Sequence, residues 1–189
     1  MVALSDLPQK LTPEAYLAWE EKQLERYEYI DGNIYAMTGG SIGHNRIALN
    51  LYRALFPHLE SRGCDTFVSD VKVQDLKSKR YFYPDLVITC DADDLSSNKF
   101  VSHPTVIVEV LSPSTSSYDK DLKLKYYRQI ESLREYVLIH SEQQYVELFQ
   151  KQTEKIWGYS AYSEGIFELA SVEFSCAFSM LYNKVIFDD

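Results

Sequence analysis

The sequence predicts an α/β chain of the α+β type, a mixed sheet laid down in the order helix, three strands, helix, strand. A β-hairpin precedes this core and an antiparallel meander follows it. Three observations predict it. Segments with apolar residues at helical spacing alternate with short runs rich in β-branched residues. Asp31-Gly32 lies between two such runs, a strong short hairpin signal. Two further apolar runs, Phe82 to Cys90 and Thr105 to Ser112, each carry one embedded carboxylate, Asp85 and Glu109. No glycine-rich phosphate loop follows a strand, which excludes a P-loop or dinucleotide fold.

Taken in order, Thr12 caps a helix with Pro13 at its first position, expected to run to about Glu25 and to pack through Tyr16, Leu17, Trp19 and Leu24. Arg26 to Ile30 and Asn33 to Met37 form the hairpin. Within it Glu28 faces opposite to Tyr27 and Tyr29, as an exposed edge-strand acid or as an acid supporting a metal. Gly39-Gly40 breaks the chain, and Ser41 caps a helix through His44, Ile47, Leu51, Leu55 and Leu59 to Gly63. His44 falls in the first turn, where exposed amides favour anions; a surface histidine and a contact to phosphate or metal-bound water both fit.

Thr66 to Gln74 alternates as one half-buried strand, with Gln74 at its exposed end or supporting the site, and Leu76 to Arg80 turns into the Asp85 strand. Asp91 to Asn98 is an acidic loop without the spacing and glycine of a calcium loop. Glu109 sits mid-strand among Val106, Ile107, Val108, Val110 and Leu111, where a desolvated anion must find a cation or take a proton. If the two strands are neighbours, a divalent cation is the natural compensator for both carboxylates.

Ser112-Pro-Ser-Thr115 then stops the strand and supplies capping oxygens for a helix from Tyr118 to Ile130. Tyr118, Leu122, Tyr126, Ile130 and Leu133 form its expected buried stripe, and Asp119, Lys123 and Tyr127 an adjoining one. Glu135 to His140 reads as a buried strand. Tyr145 to Phe149, Lys155 to Tyr159 and Ile166 to Leu169 read as antiparallel edge strands, and Phe174 to Phe187 closes the chain with a short helix around Ala177 to Tyr182.

The 189 residues suit one domain, with residues 1–40 as helix and hairpin, 41–140 as core and 141–189 as C-terminal strands. Fifteen tyrosines and nine phenylalanines suggest a β-rich body with amphipathic surfaces, or an oligomer interface. No run approaches a membrane span and the N-terminus lacks the regions of a signal peptide, so a cytoplasmic protein is expected. Cys64, Cys90 and Cys176 are odd in number and far apart in sequence, which predicts reduced, buried thiols. The net charge of −9 argues against nonspecific coating of nucleic acid. Yet residues 72–80 and 120–128 hold eight of the nineteen basic residues, with only Asp75 and Asp121 among them. Either they flank the Glu109 site on one concave surface for an anionic ligand, or they are solvated faces.

Pro84-Asp85, Glu109-Val-Leu-Ser-Pro-Ser-Thr115, Asp119, Lys123 and Tyr127, with Tyr27 to Gly32, His44 and Arg134-Glu-Tyr136, resemble the putative restriction endonuclease family of the PD-(D/E)xK nuclease superfamily. The resemblance covers nearly the whole chain. It implies the restriction endonuclease-like fold and a metal-dependent endonuclease acting on DNA, with Mg²⁺ or Mn²⁺ as cofactor. The chain departs from the superfamily pattern at Leu111, which occupies the lysine position two residues after the acid. The family shares that feature, and its helix lysine, here Lys123, is taken to substitute.

On this reading Asp85 and Glu109 hold the metal and Lys123 stands beside the attacking water. Glu28, His44, Asp119 and Tyr127 support them, and Lys72, Lys77, Lys79, Arg80 and Lys120 contact nucleic acid. Removing Lys123 is then expected to abolish cleavage with folding nearly intact. A homodimer would suit cutting both strands. The competing readings are structural ion pairs, Asp85 with Arg80, Glu109 with a helix cation and Lys123 with Asp119, and a nucleic-acid or protein binding module on the same fold that has lost cleavage. A two-carboxylate glycosidase explains neither the lysines nor the basic windows.

Overall fold

The computed structural model describes residue 8 and residues 10–37, 39–112 and 118–187. Its centre is a six-stranded mixed sheet in the order β10-β9-β8-β7-β6-β3. Strands β3 (Asp65–Val68), β6 (Leu86–Thr89) and β7 (Pro104–Leu111) pair antiparallel, and β8 (Glu135–His140) returns parallel to β7. The crossover consists of a π-helical turn, Tyr118–Lys123, running into α4 (Leu124–Tyr127). Strands β9 (Val146–Lys151) and β10 (Trp157–Tyr162) extend the sheet as an antiparallel pair. With α2 (Ile42–Glu60) before β3, the expected order of helix, three strands, helix, strand is present.

Alternation along β7 sorts its side chains onto two cores. Val106, Val108 and Val110 pack under α2 with Ile47, Leu51, Leu55 and Leu59. Ile107 and Leu111 pack on the other face with Tyr127, Ile130, Leu133, Tyr136 and Leu138. Glu109 shares the parity of Ile107 and Leu111, so its carboxylate enters this second core beneath the crossover. Strand β11 (Ile166–Leu169) pairs with β12 (Phe174–Ala177) as a separate hairpin, and α5 (Phe178–Leu181) closes the α2 side.

The hairpin of β1 (Tyr27–Ile30) and β2 (Asn33–Ala36) turns through Asp31 and Gly32, both at positive φ, as the Asp-Gly pair requires. It joins β5 (Arg80–Phe82) and β4 (Val73–Asp75) in a second sheet, β2-β1-β5-β4. Tyr16, Tyr27, Tyr29 and Tyr81 form a core here with Ile34, which is where part of the tyrosine excess goes. Tyr16 and Tyr29 donate their hydroxyls to the carbonyls of Tyr27 and Leu11.

Five expectations need correction. Helix α1 (Pro13–Glu20), capped by Thr12 as expected, stops well before Glu25, and Leu24 is fully exposed. The single strand from Thr66 to Gln74 is two strands on different sheets, because Ser69 and Asp70 at positive φ turn the chain between β3 and β4. The run from Phe82 to Cys90 divides at Pro84, which has no N–H for a ladder, into β5 and β6. The acidic stretch after Cys90 contains a short helix, α3 (Ala92–Ser96), capped by Asp91. Cys64 and Cys90 form a disulfide: the β3–β6 register pairs Asp65 with Thr89, which sets the two flanking cysteines opposite each other with Cα atoms 4.1 Å apart. Only Cys176 stays a free, buried thiol, and burial pushes it up to about 12. The capping oxygens expected at Ser114 and Thr115 lie outside the described residues. No helix among the described residues is long and apolar enough to cross a membrane.

Candidate active site

The register Leu86↔Val108 makes Asp85 the next step along β6, facing Glu109 on the neighbouring strand. The β6 ladder ends there, and Asp85 replaces it with its side chain: Oδ2 accepts the Val110 N–H at 2.7 Å. His44 Nε2 lies 3.1 Å from the same oxygen. Ser41 caps α2 by accepting the His44 N–H, which places the imidazole in the first helical turn over the strand end. A Cβ on Gly40 would come within 2.6 Å of His44 Nδ1, so the glycine makes room for the ring. Burial pulls the His44 pKa down, but the bond and charge of Asp85 outweigh it and hold the imidazole above its ordinary 6.5.

Glu109, 3% exposed, bonds to the crossover above it. Its Oε1 accepts from Lys123 Nζ at 2.9 Å and from Tyr127 Oη at 2.8 Å. Lys123 Nζ also lies 3.0 Å from Glu28 Oε1 and 3.3 Å from Asp119 Oδ1. Glu28 is 2% exposed and takes two more bonds, from the Tyr83 N–H at 2.9 Å and from Tyr118 Oη at 3.0 Å. Tyr136 Oη fixes the crossover by donating to the Asp119 carbonyl. Burial and the charges of Asp119, Asp85 and Glu28 lift the Glu109 carboxyl well above 4.5, against the pull of Lys123. The same carboxylates, Glu109 first and Glu28 next, outweigh the burial that would lower Lys123 and hold its ammonium well above 10.5.

Glu28, His44, Asp85, Glu109, Asp119 and Lys123 thus line one pocket of about 280 Å³. It holds four carboxylates, and its one lysine ammonium pairs with three of them, Glu28, Glu109 and Asp119. On Asp85 both bonds fall on Oδ2, and on Glu109 both fall on Oε1. Among the described residues Asp85 Oδ1 and Glu109 Oε2 accept none, which leaves two hard oxygen donors beside excess negative charge. That donor set fits a magnesium or manganese ion completed by water. A tighter group of three metal-capable side chains, Asp91, Asp94 and His103, lies elsewhere. There Asp94 already accepts from Thr89 Oγ1 and from the N–H groups of Ser102 and His103, which makes it a structural tie.

The structure gathers every residue read as catalytic or supporting: Asp85, Glu109, Lys123, Glu28, His44 and Asp119 line the pocket, and Tyr127 reaches in through Glu109. Two readings change. The innermost stripe of the crossover is Asp119, Lys123 and Tyr127, while Tyr118, Leu122 and Tyr126 are half-buried, because Glu109 draws the polar stripe inward. Glu28 is buried rather than an edge-strand acid in solvent. Tyr83 and Tyr118 were missed; only their neighbourhood to Pro84-Asp85 and Asp119 hinted at them. Gln74 bonds to Tyr81 Oη and stays outside the pocket.

Of the two basic windows only Lys123 reaches this pocket. Lys72 pairs with Glu20 at 3.0 Å among the rings of Tyr16, Tyr81, Tyr83 and Phe100. Lys77 pairs with Glu131 at 2.8 Å, Lys79 with Glu14 at 2.9 Å, Arg80 with Asp31 at 2.8 Å and Lys120 with Glu147 at 2.6 Å. None of the five lines the pocket of Glu109. A single basic concave surface around that residue is therefore not what the chain builds, since each of these five cations answers a nearby acid.

The family model described as "putative restriction endonuclease" (Uma2) matches residues 13–177. An uncharacterised protein of Synechocystis sp., slr1290, is 38% identical over 179 residues, 94% of each chain. A second from the same organism, sll1609, is 37% identical over 167 residues, 87% of this chain and 93% of its own. A crystal structure from Anabaena variabilis, titled a putative nuclease belonging to DUF820, superposes with a TM-score of 0.75 at 17% identity, covering 93% of this chain and 99% of that one. That likeness shows the fold.

Proposed function

This chain belongs to the putative restriction endonuclease family, and from that premise we propose that it is a magnesium-dependent endonuclease, with manganese as a substitute, that hydrolyses phosphodiester bonds in DNA. The observation that carries the reading is the delivery of Lys123 Nζ to Glu109 Oε1 at 2.9 Å while Leu111, on the same face of β7, is 3% exposed in the apolar core. The strand position that would supply an ammonium is apolar, and the crossover supplies one in its place.

Asp85 and Glu109 would hold the cation. When bound, it supplies an oriented water and neutralises charge on the phosphoryl oxygens. The protein's own groups do the rest. Val110 and His44 hold Asp85 Oδ2 and so aim the other oxygen; Tyr127 does the same for Glu109. Lys123 favours the ionised form of Glu109 and offers positive charge to the phosphate as its oxygens gain negative charge. Glu28 and Asp119 keep that lysine protonated and in place.

One observation favours a second reading, a nucleic-acid binding module without cleavage: Lys123 already has three carboxylate partners. Hydrolysis of supercoiled plasmid in Mg²⁺ or Mn²⁺ separates the two. The endonuclease reading expects nicked and linear products from the wild type, none in chelator and none from Asp85→Ala. Binding of DNA with no hydrolysis in either metal would favour the module.

A further inference from the structure

We infer that the groove between α2 and α5 is a track for the DNA backbone leading away from the site, an inference that rests on the endonuclease reading and adds the surface on which the substrate lies. The groove has a volume of about 700 Å³. Arg46, Arg53 and Lys184 line it together with Asn45, Asn50 and Asn183, and among the described residues no carboxylate does. In a chain of net charge −9, a concave surface with three cations and no acid reverses the local sign.

These cations are also available. Among the described residues Arg46, Arg53 and Lys184 take part in no ion pair, in contrast to Lys72, Lys77, Lys79, Arg80 and Lys120. Arg46 bonds instead to the Lys184 carbonyl, and Asn50 to the carbonyls of Leu181 and Asn183, which ties α5 to α2 and shapes the groove. A second groove contains Lys120, Lys125, Arg128 and Lys155 but also Asp121 and Glu154, and its Lys120 is held by Glu147, so it includes the acids that the first groove lacks.

Position selects the occupant. The first turn of α2 serves both places, His44 in the catalytic pocket and Asn45 and Arg46 in the groove. Arg46 and Arg53 are two helical turns apart on one face, about 10 Å at 1.5 Å per residue, a span of about three nucleotides along a strand. With a phosphate at Asp85 and Glu109, a flank of the duplex passing the N-terminal end of α2 would bring further phosphates to these cations, which lie on the face of α2 opposite His44. A second copy of the chain is a poor occupant, since the twofold contact would set like charges against each other. Phosphate contact without base-edge donors in defined register predicts binding that is insensitive to sequence here.

The test is binding of a fluorescent 30-base-pair DNA duplex in Ca²⁺, followed by anisotropy across a salt series, for the wild type, Arg53→Gln/Lys184→Gln and Arg53→Lys. Both positions are exposed, and the thermal midpoint of each variant checks folding. The double variant should bind about tenfold or more weakly, with a plot of log affinity against log salt shallower by about 2. Arg53→Lys should stay near the wild type. Hydrolysis of bis(p-nitrophenyl) phosphate in Mn²⁺, a diester too small to reach the groove, should be unchanged in all three. Duplex affinity and salt slope unchanged in the double variant, with the small diester still cleaved, would overturn the track and leave the endonuclease reading standing. A wild type that neither binds duplex nor cleaves the small diester would overturn both.

Discussion

Lys123 Nζ stands 2.9 Å from Glu109 Oε1, and the same ammonium meets Glu28 and Asp119, so one buried cation closes a ring of three carboxylates. Both partners are nearly sealed, Lys123 at 5% and Glu109 at 3% exposure. Removing the ammonium leaves buried charge uncompensated, which typically costs about 3–5 kcal/mol. Lys123→Met should therefore lower the urea midpoint of the metal-free protein by a corresponding amount, with part of the loss restored by Mn²⁺. This replaces the expectation that an alanine here spares folding. A variant as stable as the wild type in chelator would show that the ring is solvated.

The Glu109 carboxyl is held well above 4.5 by burial and by the neighbouring acids. Between the unfolded pKa and the folded one, the native state binds more protons than the unfolded chain, so this group's contribution to stability falls as pH rises. Glu109→Gln removes that contribution. In chelator, the stability of the wild type relative to Glu109→Gln should decline as pH is raised from about 4.5, and Mn²⁺ affinity of the wild type should rise over the same range. A stability difference that does not change with pH would contradict the shift.

Gly40 is predicted to act through His44. A Cβ at this position would meet Nδ1 at 2.6 Å, and the ring is already committed to Asp85 at 3.1 Å, so a shift of the ring to make room disturbs that bond. Gly40→Ala and His44→Ala should each reduce cleavage by about tenfold or more, and the double variant should lose no more than the larger of the two. Additive losses would mean that Gly40 acts elsewhere.

The disulfide between Cys64 and Cys90 closes a segment with a sequence separation of 26. Loop-closure entropy then assigns it about 3.5 kcal/mol. Thiol titration of the denatured, unreduced protein should find one group, Cys176, and Cys64→Ser/Cys90→Ser should lower the thermal midpoint. Three titrating thiols would show that the bridge is not formed.

Local chemistry made much of the fold legible. The Asp31-Gly32 turn, the Thr12 and Ser41 caps and the apolar run of β8 each follow from a few adjacent residues. What escaped depends on pairing across the chain. Glu28 reads as an exposed edge-strand acid or as a supporting one until Tyr83, Tyr118 and Lys123 converge on it from two other segments. The two cysteines are distant in sequence and adjacent in the β3–β6 register. In the crossover, apolar periodicity pointed to Tyr118, Leu122 and Tyr126, but a buried carboxylate on β7 outweighed it and turned Asp119, Lys123 and Tyr127 inward. The basic windows misled for the same reason, since the acids that answer Lys77, Lys79 and Lys120 are supplied by other elements.

On the proposed mechanism Lys123 works in the reaction while Asp85 and Glu109 hold the metal. The most direct test is single-turnover cleavage of a labelled duplex in Mn²⁺ by Lys123→Met, with Mn²⁺ affinity measured on the same protein by calorimetry. Mn²⁺ should still bind within about tenfold of the wild type while the cleavage rate falls by a factor on the order of 10³. A variant that binds Mn²⁺ and cleaves at the wild-type rate would contradict it.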